Sequence, residues 1–139
     1  MYEWRHTARA QAMQALYSDE FRDRIGVEPF AESNSSWWLE SGRDEVKAYS
    51  LLLYYGVHEN REKIDELISS HSKTRAIIHM SIVDLSVIRL GVYSLLFDKD
   101  VASKVVIDES VKLSLEYSNG VGFKFVNGVL DAIAKELAA

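Results

Sequence analysis

Residues 81–97 read SIVDLSVIRLGVYSLLF. Drawn as a helix, this stretch carries apolar side chains on almost every side, so no face is left for water. Ser81 and Asp84 stand in the Ser-x-x-Asp spacing of a helix start. The segment is therefore predicted to be a central buried helix, and the rest of the chain must cover it. Arg89 breaks the pattern, four residues after Leu85 and three before Val92. A guanidinium placed there needs a partner, with Asp84 or Asp108 the expected carboxylate. A structural ion pair and a contact to a partner protein are both open for it.

The segments that would cover this helix are also helical. FKFVNGVLDAIAKEL (123–137) repeats Phe123, Val126, Leu130, Ile133 and Leu137 at helical spacing. Gly128 lies on the opposite side, near Lys124, Asp131 and Lys135, although glycine costs a helix roughly 1 kcal/mol against alanine. Phe125 is off the apolar stripe, next to Lys124. An aromatic ring, an ammonium and a gap without a side chain suit a stacked base and its phosphate. The alternative is that Phe125 and Gly128 pack against another helix. SNGVG (118–122) is the preceding turn, and Ser103 is placed to cap the helix that reaches about Tyr117.

Toward the N-terminus, ARAQAMQALYSDEF (8–21) puts Ala8, Ala12, Ala15 and Leu16 on one narrow stripe of small residues, which implies close packing. Arg5 and Arg9, with His6 adjacent, share a face if this helix reaches back to them. They read either as a weak basic patch or as a solvated helix start. Pro29 suits the start of a short helix carrying Trp37, Trp38 and Leu39. Ser41 and Asp44 repeat the Ser-x-x-Asp spacing before a long helix with Val46, Tyr49, Leu53 and Val57 inward. Asn60 restarts the chain as a helix with Ile64, Leu67 and Ile68. About seven helices with short connections make an all-α fold, a single domain over 1–139. Two small packed bundles are expected, an N-terminal one at about 5–58 and a C-terminal one at about 60–139.

Composition narrows the function. With 47% hydrophobic residues among 139, the chain has material for a sizeable core. It has no cysteine, which excludes disulfides, thiol catalysis and thiolate metal sites. No apolar run reaches membrane length and no basic-then-apolar leader opens the chain, so a cytoplasmic protein without membrane contact is expected. His6, His58, His71 and His79 form no pair four residues apart, and the carboxylates are scattered over solvent faces. Neither a metal site, a cofactor loop nor a catalytic acid–base pair is legible, so no enzyme is expected. The net charge of −5 restricts any nucleic-acid site to a local cluster of Lys and Arg.

Four separated stretches resemble one family: ARAQAMQALY (8–17), IRLGVYSLL (88–96), VVIDESVKLS (105–114) and above all KFVNGVLD (124–131). They are similar to the NusB family of bacterial transcription antitermination factors, in order and over essentially the whole chain. The resemblance implies two helical bundles and a binding role without catalysis or cofactor. It implies pairing with NusE, a small-subunit ribosomal protein. The pair would bind boxA RNA and help hold RNA polymerase in an antitermination complex on ribosomal RNA operons. RNA-facing positions of the family fall on Arg5, His6, Arg9, Lys104, Lys124 and Phe125. NusE-facing positions fall on Tyr17, Asp84 and Arg89. The family's dense N-terminal arginine run is thinned here to two arginines and a histidine. A protein-only module that keeps the NusE surface and has lost RNA binding is the competing reading. A NusB-like leader of an RNA methyltransferase is disfavoured, since no methyltransferase domain follows.

Overall fold

The structure, a computed structural model, describes residues 3–29 and 42–139. These form six α-helices: α1 (Glu3–Arg24), α2 (Asp44–Glu59), α3 (Arg61–His71), α4 (Ile82–Phe97), α5 (Ser103–Tyr117) and α6 (Phe123–Ala138). A 3-10 turn at Ile77–His79 precedes α4, and no strand occurs among the described residues. The helix expected at Trp37, Trp38 and Leu39, and Ser41 of the second Ser-x-x-Asp, lie outside them. Described helices are too short or too polar to cross a membrane.

Helix α4 is buried without interruption from Asp84 to Leu95 and packs against each of the other five helices. One continuous core draws on all six. Ala8, Ala12 and Ala15 of α1 are fully buried, and their small side chains let α2 and α4 approach closely. Val126, Leu130 and Ile133 of α6 are fully buried as the periodicity predicts, while Leu137 in the last turn is exposed. Residue 60 sits at the α2–α3 junction. There the backbone N–H of Asn60 and its side-chain amide both donate to the Gly56 carbonyl, at 3.1 and 2.8 Å, closing α2.

Ser81 caps α4, its Oγ accepting the Asp84 N–H at 3.1 Å. The Asp84 carboxylate does not return the cap. It is buried and accepts from Ser114 Oγ on α5 at 3.1 Å. The entry to α6 lies so close to it that a Cβ on Gly122 would overlap the carboxylate, so a side chain there would have to displace it. Ser103 is not the cap of α5: Ala102 holds that position and Ser103 is the first helical residue.

Arg89 is paired, but not to either expected carboxylate. Its guanidinium forks onto Asp65 of α3 (Nε–Oδ1 2.8 Å, Nη2–Oδ2 2.9 Å) and reaches Glu20 of α1 at 2.6 Å. Asp84, five residues earlier on the same helix, points to another side, and Asp108 is exposed on α5. Arg24 at 2.7 Å and Arg61 at 3.1 Å complete the shell of Glu20. Burial alone would raise the Glu20 pKa. Hydrogen bonds from Arg89 and Arg24, with the charges of Arg89 and Arg61, outweigh it and hold the carboxyl below its ordinary value.

Candidate nucleic-acid interface

Helix α1 does extend back to the basic residues, and each of the three meets a different environment. His6 lies between two carboxylates of α5: Nε2 is 2.6 Å from Glu116, and Nδ1 is 3.2 Å from Glu109 but misaligned for a hydrogen bond. Glu109 and Glu116 are seven residues apart, two helical turns, and so face α1 together. Arg9 is buried. One nitrogen is 3.8 Å from Glu109, another donates to the Tyr49 hydroxyl at 3.4 Å, and the guanidinium lies 5.7 Å from the Tyr49 ring centre. Tyr49 in turn donates to Asp98 at 2.5 Å; burial first, and that acceptor second, push its pKa up to about 12. Arg5 lies 5.2 Å from the Trp4 ring and 5.9 Å from that of Tyr49. Arg5 and Arg9 line a pocket of about 150 Å³ against the first turn of α5, with Asp100, Val105 and Glu109.

Lys104 is exposed in that same first turn of α5. Lys104, Asp108 and Val111 follow one stripe of the helix, and the stripe leads into a cleft of about 450 Å³ between α5 and α6. Asp108, Val111, Phe123, Lys124 and Asn127 line it. Among the described residues, no carboxylate lies within 4 Å of Lys104 or Lys124. Gly128 is open: a Cβ there would meet nothing within 4 Å, so no neighbouring helix fills the gap. Phe125 is half-buried and packs against the core, with the Arg75 guanidinium 4.6 Å above its ring. The structure thus brings Arg5, Arg9, Lys104 and Lys124 around α5, with Phe125 on an adjoining side of α6.

The three positions expected to face a protein partner separate. Tyr17 is exposed on α1, and Phe21, four residues on, is exposed beside it. Gln14, on the same side, donates to Tyr117 of α5 at 3.4 Å, so the half-exposed Tyr117 extends this surface. An aromatic pair at i, i+4 off the alanine stripe is the signal from which Phe21 was available in the sequence. Asp84 and Arg89 are buried, with 3% and 4% of their surface exposed, and touch only this chain's own groups. Through these contacts Asp84 ties α4 to α5, and Arg89 ties it to α1 and α3.

The model of the NusB family matches residues 6–135. The chain belongs to the NusB family. A relative from Leptospira biflexa, named transcription antitermination protein NusB, is 34% identical over 132 residues, which are 95% of this chain and 92% of that protein. The fold is similar to that of T. maritima NusB at 34% identity and TM-score 0.80, covering 95% of this chain and 91% of the other. It is also similar to a crystal structure of antitermination factors NusB and NusE in complex with dsRNA. That likeness has TM-score 0.81 and 30% identity over 98% of this chain and 99% of the other.

Proposed function

We propose that the protein is a cytoplasmic transcription antitermination factor that binds boxA-type RNA together with NusE and supports ribosomal RNA transcription. It acts by binding, with neither catalysis nor a cofactor. The observation that carries the reading is the full-length likeness to a NusB solved with NusE and dsRNA, joined to a cleft lined by Lys124, with the exposed Lys104 one turn before its lining residue Asp108 on α5. RNA takes the face of α5 and α6 through Lys104 and Lys124, with Arg5 at its margin. His6 and Arg9, held by Glu109, Glu116 and Tyr49, support that margin from within. NusE takes the surface around Tyr17. Phosphates replace counterions on the free lysines, so affinity falls as salt rises.

The competing reading, a NusE-binding module without RNA affinity, draws on one specific observation. Carboxylates engage part of the N-terminal basic segment in a chain of net charge −5. Titrating labelled boxA-type RNA with and without NusE separates the two. Weak binding alone and tighter binding with NusE supports the proposal. Binding of NusE with no RNA in either arm overturns it in favour of the module.

A further inference from the structure

Phe125 is the ring expected to receive a base, yet that ring is covered. The Arg75 guanidinium lies 4.6 Å above its centre. Phe125 is itself fixed, half-buried and packed on the core. A base arriving at this part of α6 therefore meets Arg75 before it meets Phe125. Arg75 is exposed in the connection between α3 and the 3-10 turn, and no carboxylate of the described residues lies within 4 Å of it. Lys73, in the same connection, is likewise exposed and free of carboxylates. Gly128, one turn along α6 from Phe125, leaves open surface beside the pair.

We infer that Arg75 is the base-stacking group of the RNA interface, and that Phe125 is the shelf that holds its guanidinium flat. The inference rests on the RNA-binding reading above. A guanidinium is planar, and one face resting on an aromatic ring leaves the other face for a nucleobase and the N–H edge for a phosphate. An exposed arginine ordinarily spends much rotamer freedom on binding. Resting on a fixed ring removes part of that freedom before RNA arrives. The ligand class follows: single-stranded RNA with an unpaired base. A duplex keeps its bases stacked on each other and engages only the charge of Arg75.

The test uses the full chain with NusE present, a labelled single-stranded boxA-type RNA, and a blunt duplex of the same sequence at the same salt. Arg75→Ala is expected to weaken single-strand binding by roughly 5- to 150-fold. Arg75→Lys keeps the charge without the plane and should lose most of the same factor. Duplex affinity should change by only a small part of it. Arg75 is exposed, so melting temperatures should stay at the wild-type value. Wild-type affinity in Arg75→Ala or in Arg75→Lys overturns the inference. Equal losses on single strand and duplex also overturn it, since they would make Arg75 a phosphate contact and nothing more. A wild-type protein that binds no single strand, with or without NusE, refutes the proposed function itself. Wild-type binding with an indifferent Arg75→Ala refutes only this step.

Discussion

Arg89→Met tests whether the buried charge network holds the bundle together. Methionine keeps the apolar stem and removes the guanidinium, leaving Glu20 with 7% of its side chain exposed and Asp65 with 25%. Breaking a buried ion pair costs about 3–5 kcal/mol, because the remaining charge is stranded. Here Arg24 and Arg61 still reach Glu20, so the lower end, about 3 kcal/mol, is expected. For a domain of this size that is a fall in Tm of about 10 °C. The pH dependence has a defined sign. Glu20 titrates below its ordinary 4.5 in the folded protein, so the folded state binds fewer protons than the unfolded one near that pH. The network's contribution is complete above about 4.5 and is lost as pH falls through the lower folded value. Thermal melts of both proteins between pH 7 and pH 3 should show a gap that is widest near neutrality and closes in acid. Because Arg89 is internal, NusE affinity per folded molecule should not change. A loss under about 1 kcal/mol at pH 7, or a gap that persists unchanged in acid, would refute the reasoning.

Gly128→Ala should raise stability by up to about 1 kcal/mol, since the new methyl meets nothing and helix propensity improves; thermal melts check this, and weaker RNA binding in the same variant would mark the RNA path. Gly122→Ala should destabilise, because its Cβ overlaps the buried Asp84 carboxylate, and a melt at or above wild type would show that the α6 entry yields. Tyr17→Ala should leave the melt within about 0.5 kcal/mol of wild type, as for an exposed position, while lowering NusE affinity in calorimetry.

The sequence showed α4 because burial on all sides leaves a pattern that local inspection can read. It showed the inner faces of α1, α2 and α6 for the same reason. Pairing across the fold leaves no such trace. The two carboxylates of Arg89 lie 69 and 24 residues away in the chain, and helical periodicity says which way a side chain points but not which helix it meets. The expectation therefore named Asp84 and Asp108 and missed Glu20 and Asp65. The shielding of His6 had a readable signal: Glu109 and Glu116, seven apart, form an acidic stripe on α5. What was hidden was that α1 faces it. Arg75 over Phe125 was hidden further, because a loop residue has no periodicity at all. The cap of α4 at Ser81 was legible, while the second role of Asp84, bonding Ser114, needed the third dimension.

The distribution of carboxylates leads to a last prediction about how this acidic chain handles a polyanion. Two sets of its cations bear on this. Arg9, Arg24, Arg61 and Arg89 each have a carboxylate within 4 Å. Lys73, Arg75, Lys104 and Lys124 have none among the described residues. Only a cation that is not already neutralised releases a counterion when a phosphate replaces its ion atmosphere. For single strands each such contact contributes about −0.7 to the slope of log K against log salt. Four contacts give a slope of about −3, and enlisting Arg5 and Arg9 as well would steepen it to about −4. Measured on the protein without NusE, a slope near −3 that becomes shallower by about 0.7 in Lys104→Ala or in Lys124→Ala is expected. Arg9→Ala should leave that slope unchanged and lower the melting temperature instead, because Arg9 works inside the fold. A slope that drops with Arg9→Ala would mean that RNA draws Arg9 away from Glu109, and the division between the two groups would fail.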